Sequence, residues 1–320
     1  MCGKSFVNKP ESTDDRLPLT ILTGFLGAGK TTLLNRYLRT PGGAGTAVLV
    51  NEFGSVDVDG GVLGAARGAA RLMTLPNGCV CCEVQEDLAA ALIDLAEGRK
   101  ASGIRHCIVE TTGLAEPGSI LRGLAHDPRL RSLVAARQTV TVAAATSLAG
   151  ELRRFAEAAL QVALADRIVV TKTDVADAGR VSRVMLELAA RNPLAAIDIA
   201  EDAADVATLF RPPGLPRAVP ATARHEHTHG IASFSVLLPE PLDGNLFRDV
   251  MSFWIMRHAE RLLRVKGVVR FRGEPVARLL NVVHDVADIV LLEDAGPSAL
   301  VFIGIGLPEE EIRTDIGRCV

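Results

Sequence analysis

One stretch decides the fold, and it reads Leu17-Pro-Leu-Thr-Ile-Leu-Thr-Gly24-Phe-Leu-Gly27-Ala-Gly29-Lys30-Thr31-Thr32-Leu-Leu. An apolar run typical of a strand leads into Gly24. Four residues then precede the Gly29-Lys30-Thr31 triplet, which opens a helix-like segment. A strand, a glycine-rich octet and a helix in this order form the pattern of a phosphate-binding loop. The sequence therefore predicts that the protein binds a nucleoside triphosphate.

Each residue type in this loop has a physical reason. Glycines let backbone N–H groups surround a phosphate at a distance that a Cβ atom would obstruct. Lys30 can reach the β- and γ-phosphates, and the Thr31 hydroxyl can bind Mg²⁺. The positive end of the following helix attracts the same anion. We expect nucleotide contacts from seven residues of this stretch, which are Gly24, Gly27, Ala28, Gly29, Lys30, Thr31 and Thr32.

The composition excludes several classes of function. With 320 residues, 48% of them hydrophobic and 23% charged, the chain is predicted to form a soluble globular protein. A net charge of −3 gives no electrostatic reason to bind nucleic acid or an anionic membrane. No long apolar run is present, and residues 1–16 lack the apolar core of a secretion signal. We expect a cytoplasmic protein, monomeric or dimeric.

The order of the predicted elements indicates two domains. Up to residue 199 strands alternate with helices, which is typical of an α/β fold with a mostly parallel, doubly wound sheet. After a proline-rich stretch at residues 211–220, consecutive strands predict a smaller α+β domain with an antiparallel sheet. The predicted divisions are an N-terminal tail at 1–17, a P-loop domain at 18–211, a Pro/His-rich linker at 212–230 and a C-terminal domain at 231–320.

Three finer predictions concern single elements. The apolar spacing predicts one helix over residues 151–165 and another over residues 246–263. Residues 277–292 are predicted to be strand.

The sequence Glu110-Thr-Thr-Gly113 follows a predicted buried strand downstream of the phosphate loop. An acidic Walker-B-type residue is expected there, since its carboxylate can reach Mg²⁺ or its waters. Gly113 can offer its N–H to a γ-phosphate. We therefore predict that Glu110 is catalytic, together with Lys30 and Thr31. The alternative interpretation is an ordinary helix N-terminus.

The sequence Thr171-Lys-Thr-Asp174 resembles the guanine-reading motif of GTPases. A carboxylate such as Asp174 accepts hydrogen bonds from N1–H and the N2 amino group of guanine, whereas adenine presents an acceptor and a C–H there. The stem of Lys172 would lie along the base. Thr171 stands where Asn is commoner, and its shorter side chain is expected to hold the loop less well. The motif favours GTP over ATP, and a surface turn is the alternative.

Three thiols within four residues, Cys79, Cys81 and Cys82, can converge on one soft cation such as Zn²⁺, Co²⁺ or Cu⁺. Because the Mg²⁺ of a phosphate loop prefers oxygen ligands, this cluster predicts a second metal. Glu52, a histidine or water could supply a fourth ligand. The alternatives are a redox-active thiol group and small buried hydrophobes.

The histidines of His225-Glu-His227-Thr-His229 alternate, so that in an extended chain all three side chains share one face. They could bind or pass on a metal. A solvated run at a domain junction is the equal alternative.

Taken in order, the motifs resemble those of CobW-type GTPases. The segments that carry the resemblance are the phosphate loop, Asn51-Glu-Phe-Gly, Asn77-Gly-Cys-Val-Cys-Cys, Glu110-Thr-Thr-Gly, Thr171-Lys-Thr-Asp, Arg224-His-Glu-His-Thr-His-Gly and Arg264-Val-Lys-Gly. The resemblance implies a SIMIBI-class P-loop GTPase fold and a metallochaperone role with Zn²⁺ or Co²⁺ as cargo. It also implies that the three clustered cysteines are cargo ligands, with Glu52 a switch-region carboxylate near metal or Mg²⁺.

The chain departs from the family pattern at two places. Ser55 stands where the family often has a further Glu, and residues 143–145 are all alanine where many members carry an Asp.

The resulting hypothesis is a GTPase that binds GTP with Mg²⁺ and delivers a transition metal to a client protein under the control of its nucleotide. One alternative is a P-loop ATPase or kinase with a structural cysteine–metal site. Another is a metal buffer with little turnover.

Overall fold

The computed structural model describes residues 15–50, 71–74, 81–201, 206–213, 225–226, 228–292 and 298–320. They fall into two compact units, each described here by itself. The first contains Asp15–Ala189 and Ala195–Leu215, and the second contains Ala190–Leu194 and the described residues after Leu215.

The first unit contains a parallel sheet of seven strands with helices between them. The strands are β1 (Leu17–Thr23), β2 (Thr46–Val50), β3 (Arg71–Thr74), β4 (His106–Glu110), β5 (Val134–Ala144), β6 (Arg167–Thr171) and β7 (Ala196–Ile199). Their spatial order is β3-β2-β4-β1-β5-β6-β7. The helices are α1 (Lys30–Leu38), α2 (Cys81–Ser102), α3 (Pro117–His126), α4 (Pro128–Leu133), α5 (Leu148–Arg154), α6 (Ala156–Ala163) and α7 (Ala178–Arg191).

The central strand β1 explains why the sheet is covered on both faces. Its successive side chains point to opposite faces, and both faces carry buried apolar side chains. Ile21 packs in one cluster with Leu92 of α2, whereas Leu22 packs in a second cluster with Leu33 of α1. Burying a side chain of this size stabilises the fold by about 2 kcal/mol. The phosphate loop therefore follows a strand that is buried on both faces.

The second unit contains an antiparallel sheet of six strands and two helices. The strands are β8 (His225–Glu226), β9 (Ile231–Leu238), β10 (Leu262–Val269), β11 (Ala277–Val283), β12 (Val286–Leu292) and β13 (Ser298–Ile305), and the helices are α8 (Gly244–Arg257) and α9 (Glu309–Gly317). The strand order is β12-β11-β10-β13-β9-β8. Trp254 of α8 and Ile316 of α9 belong to its apolar core. The predicted fold class, a parallel P-loop sheet plus a smaller α+β domain, is confirmed.

The three finer predictions were wrong in detail. The helix predicted over residues 151–165 is two helices, because Phe155 between them is extended (φ −126°, ψ 119°). The helix predicted over residues 246–263 ends at Arg257, and Leu262 and Leu263 already belong to β10. Residues 277–292 form two strands joined by a turn in which His284 has a φ of +53°.

His106 gives the first unit a predicted dependence on pH. Its ring nitrogens lie 2.9 Å from the Thr20 hydroxyl and 3.3 Å from the Tyr37 hydroxyl, and burial lowers its pKa to about 4. In the unfolded chain the imidazole has a pKa of about 6.5, so below that pH the unfolded state binds a proton that the folded state does not. We expect the free energy of unfolding to fall by about 2 kcal/mol between pH 7 and pH 5 through this residue.

Urea unfolding of the wild type and of His106→Gln, followed by circular dichroism, should be measured at pH 7 and at pH 5. The wild type should have the higher free energy of unfolding at pH 7, and its advantage over His106→Gln should shrink at pH 5. An identical pH dependence in the two proteins would contradict the assignment.

Candidate functional site

The phosphate loop is held in a shape that only glycine adopts easily. Gly24, Gly27 and Gly29 have φ values of +138°, +69° and +99°. A Cβ atom on Gly24 would lie 2.2 Å from the backbone oxygen of Val142 in β5. The neighbouring strand therefore fixes the start of the loop, and Gly29 then caps α1 in the left-handed region.

Gly24→Ala is expected to weaken GDP binding by at least about a hundredfold, because the loop must move away from Val142. The matched control is Gly103→Ala, where φ is +67° but a Cβ atom would meet nothing within 4 Å. The control has the strain of a side chain at positive φ without a steric clash of the new Cβ atom. Gly103→Ala should therefore lower the unfolding midpoint slightly and leave GDP affinity, measured by calorimetry, unchanged. Equal affinities in the two variants would refute this account of Gly24.

Lys30, the first residue of α1, is turned back over the loop. Its Nζ donates to the backbone oxygens of Gly24 at 2.8 Å and Phe25 at 3.3 Å. Burial lowers the pKa of this amine, while the carboxylates of Glu110 and Glu151 act in the opposite direction. The ammonium is thus held inside the loop, where a triphosphate is expected to bind.

Thr31 and Glu110 meet at the base of the loop. The Thr31 hydroxyl donates to Oε1 of Glu110 at 2.7 Å, and Glu110 is buried at the end of β4. Both side chains present oxygen atoms, which are the ligands that Mg²⁺ prefers. Thr31 and Glu110, which were predicted to hold Mg²⁺, therefore have the ligand chemistry that the ion requires.

The loop after Glu110 packs directly against the phosphate loop. A Cβ atom on Gly113 would lie 2.7 Å from the backbone nitrogen of Leu26. The side chain of Gln161, buried in α6, donates to the backbone oxygens of Gly113 and Ala115 at 3.1 and 3.0 Å. Gly113 is thus held against the phosphate loop, and its contact with a γ-phosphate stays a prediction.

Thr171 links the end of β6 to the phosphate loop. Its buried hydroxyl donates to the backbone oxygen of Ala28 at 2.7 Å. The two segments also approach closely at Gly29, where a Cβ atom would lie 3.9 Å from the Thr171 side chain. The expected effect of lacking the Asn amide stays a prediction.

An open cleft lies beside this junction. Its lining includes Thr32 and Arg36 of α1, Lys172 and Asp174 of the predicted guanine motif, and Ala200 and Glu201 after β7. The structure therefore brings together the predicted phosphate-binding and base-binding residues at the carboxyl ends of β1, β4 and β6, as expected for a parallel sheet.

The predicted metal ligands fall largely outside the described part. Glu52, Cys79 and His227 lie outside the described residues. Cys81 and Cys82 are described by their backbone alone, as the first two residues of α2. Among the described residues, no group of three or more His, Cys, Asp or Glu side chains could hold a metal ion.

The histidine run does not keep the extended form on which its prediction depended. His225 lies in the short strand β8, but His229 has a φ of +65° in a 3₁₀ turn. The expected single face shared by all three side chains is therefore wrong for His229, which is exposed.

Comparison with known proteins follows the same division of the chain. A family model described as the CobW/HypB/UreG nucleotide-binding domain matches residues 18–197. The chain belongs to this family. A second model, the CobW C-terminal domain, matches residues 231–320. The CobW-type resemblance found in the motifs is thus confirmed.

Two curated relatives of the CobW family span nearly the same length. The zinc chaperone YjiA of Escherichia coli K12 is 35% identical over 93% of this chain and 96% of its own. The zinc chaperone CobW of Pseudomonas aeruginosa is 30% identical over 96% of this chain and 92% of its own. A solved Zn(II)-bound YjiA GTPase, in which one glutamate and two cysteines are replaced by alanine, matches 95% of this chain and 99% of that chain with 29% identity and a TM-score of 0.74. The predicted class, a P-loop GTPase, is confirmed.

None of the described helices of this CobW-family chain has the length and apolar character needed to cross a bilayer.

Three residues near the site escaped the sequence analysis. Gln161 and Glu151 lie inside predicted helices, where nothing in the local pattern distinguishes them. Burial raises the pKa of Glu151, while Ser147, Lys172 and Lys30 act against this rise. Glu201 could have been found, since it follows β7 at the sheet edge where the other motifs end.

Proposed function

We propose that this CobW-family protein hydrolyses GTP and uses its nucleotide state to hold and release a transition metal, zinc in the first place, for a client protein. The observation that carries the GTPase part is the convergence of the phosphate loop, Glu110 and the Thr171–Asp174 motif, joined by the Thr31–Glu110 and Thr171–Ala28 hydrogen bonds. Zinc as cargo is supported by the names of both curated relatives.

Each group in the nucleotide site has a defined part in this proposal. The N–H groups of the loop and the start of α1 bind the phosphates, and Lys30 places its ammonium beside the β- and γ-phosphates. Thr31 and Glu110 hold Mg²⁺, which supplies charge neutralisation on the phosphates when bound. Lys172 and Asp174 bind guanine at the other end of the cleft. Hydrolysis thus depends on positioning and electrostatics rather than on a covalent intermediate.

The cargo site is proposed at Cys79, Cys81 and Cys82, with Glu52 as a further ligand. Three thiolates suit zinc or cobalt. Cys81 and Cys82 begin α2, and a helix N-terminus favours anionic ligands. In sequence they lie between the phosphate loop and Glu110, so a change around the γ-phosphate has a short path to them.

Turnover measurements test the proposal. GTP and ATP hydrolysis are compared with and without Zn²⁺ or Co²⁺, in the wild type, in Cys81→Ala and in the control Cys319→Ala, which removes a buried thiol of the second unit. We expect GTP preference, and a response to zinc that Cys81→Ala abolishes and the control keeps. A preference for ATP, together with a metal content that does not depend on the bound nucleotide, would indicate a kinase or ATPase. GTP binding without metal-dependent turnover would indicate a buffer.

Total zinc content alone does not test the cysteine site. A relative with a glutamate and two cysteines replaced is still named as Zn(II)-bound. Competition with a chelator of known affinity resolves the tight site from weaker ones, and Cys81→Ala should remove the tight site only. We also propose that the client protein docks on the C-terminal domain. Cobalt as a second cargo, a cytoplasmic location and the monomeric or dimeric state stay predictions.

A further inference from the structure

The base-binding loop contains one strained residue. Lys172 has a φ of +57°, in the left-handed region that side chains other than glycine rarely adopt. Such a conformation costs about 1 kcal/mol, so neighbouring contacts must hold it. Since Lys172 and Asp174 line the same cleft, this backbone turn sets where the Asp174 carboxylate lies.

Glu201 makes the contacts that stabilise this turn. Its Oε1 accepts a hydrogen bond from the backbone N–H of Lys172 at 3.0 Å, and its Oε2 accepts one from the Thr173 hydroxyl at 2.9 Å. Both carboxylate oxygens are therefore used on two consecutive residues of the loop. Hydrogen bonds to a charged acceptor are stronger than neutral ones.

The segment that carries Glu201 is itself fixed at two points. The backbone N–H of Ala200 donates to the oxygen of Val170 in β6 at 2.8 Å. Nη1 of Arg36, on α1, donates to the oxygen of Ala200 at 3.2 Å. The Glu201 carboxylate thus projects from a segment that is hydrogen-bonded both to β6, the strand before the base-binding loop, and to α1, the helix after the phosphate loop.

We infer that Glu201 is a positioning residue for guanine recognition, acting through Lys172 and Thr173 to hold Asp174 against the base. This rests on the proposed GTP function. In this role Glu201 acts at the base and does not contact the phosphates that react, and GTP and GDP carry the same base. Loss of its carboxylate therefore weakens the binding of both nucleotides equally, which raises KM and leaves kcat unchanged.

Binding of GDP and ADP, together with steady-state GTP hydrolysis, tests the inference in the full-length protein. Glu201→Ala should weaken GDP and raise the KM for GTP by about tenfold each, with kcat changed less than about twofold. Glu201→Gln should recover affinity to within about threefold, because its amide can still accept from Lys172 and donate to the Thr173 hydroxyl. Thr173→Val removes one of the two hydrogen bonds to Glu201, so its GDP affinity should lie between those of Glu201→Ala and Glu201→Gln.

A double-mutant cycle decides whether Glu201 acts through Asp174. In an Asp174→Asn background, Glu201→Ala should weaken GDP by less than about twofold, because the contact it supports is already lost. Unchanged GDP affinity in Glu201→Ala, a fall in kcat without a change in KM, or full additivity in the cycle would each overturn the inference while leaving GTP preference intact. Equal affinity of the wild type for GDP and ADP would overturn the proposed guanine recognition itself, and the inference with it.

Discussion

Replacing Asp174 with asparagine is expected to convert a site that prefers GTP into one that prefers xanthosine triphosphate, with a change in the ratio of kcat/KM of about a thousandfold. In the proposed site the Asp174 carboxylate accepts from N1–H and the N2 amino group of guanine. Xanthine carries a carbonyl oxygen in place of the amino group, and an asparagine amide can donate to it. The preference should change because each side chain leaves a hydrogen-bonding group of the other base without a suitable partner.

Asp177→Asn provides the control. It makes the same chemical change three residues away, at a side chain whose Oδ1 accepts a hydrogen bond from the backbone N–H of Arg180 at 2.8 Å. Asparagine can accept the same bond, so the preference for GTP should remain. If Asp174→Asn keeps the wild-type preference, the Thr171–Asp174 motif does not read the base.

Replacing Lys30 with alanine is expected to lower kcat/KM for GTP by about a thousandfold. The ammonium lies against the oxygens of Gly24 and Phe25, and no other lysine or arginine of the described chain donates to these atoms. GDP affinity should fall by a smaller factor, because GDP keeps the β-phosphate beside the ammonium and lacks only the γ-phosphate. Single-turnover hydrolysis and GDP calorimetry separate the two effects.

Lys100→Ala removes a lysine whose side chain is 76% exposed, and it should leave hydrolysis unchanged within about twofold. A loss of less than tenfold in Lys30→Ala would mean that the phosphates bind elsewhere.

The strands could be predicted well because each is an apolar run between turn signals. The phosphate loop, Glu110 and Asp174 were also predicted, since each motif follows a strand and parallel strands end at one edge. Local composition was sufficient for these features.

The helix break at Phe155 could not be predicted, because it depends on a distant contact. The ring of Phe155 packs against that of Phe25 in the phosphate loop, with centroids 4.7 Å apart. The same holds for Leu262 and Leu263, whose spacing continues a helix pattern although β10 pairs with β11 and β13. In both cases tertiary pairing overrides local propensity.

The contacts of the supporting residues could not be predicted, for a related reason. Thr171, Gln161 and Glu201 reach loops far away in sequence, over separations of 143, 48 and 29 residues to Ala28, Gly113 and Lys172. A motif identifies the groups that contact the ligand. The contacts that hold those groups in place become visible only in the folded chain.

The central claim is that nucleotide and metal influence one another's binding, and zinc affinity in the two nucleotide states tests it most directly. The dissociation constant for Zn²⁺ should be measured by chelator competition with GDP bound and with a non-hydrolysable GTP analogue bound. The two dissociation constants are expected to differ by at least about fivefold, with zinc shifting the relative affinity for the two nucleotides by the same factor. Identical zinc affinities in the two states would contradict it.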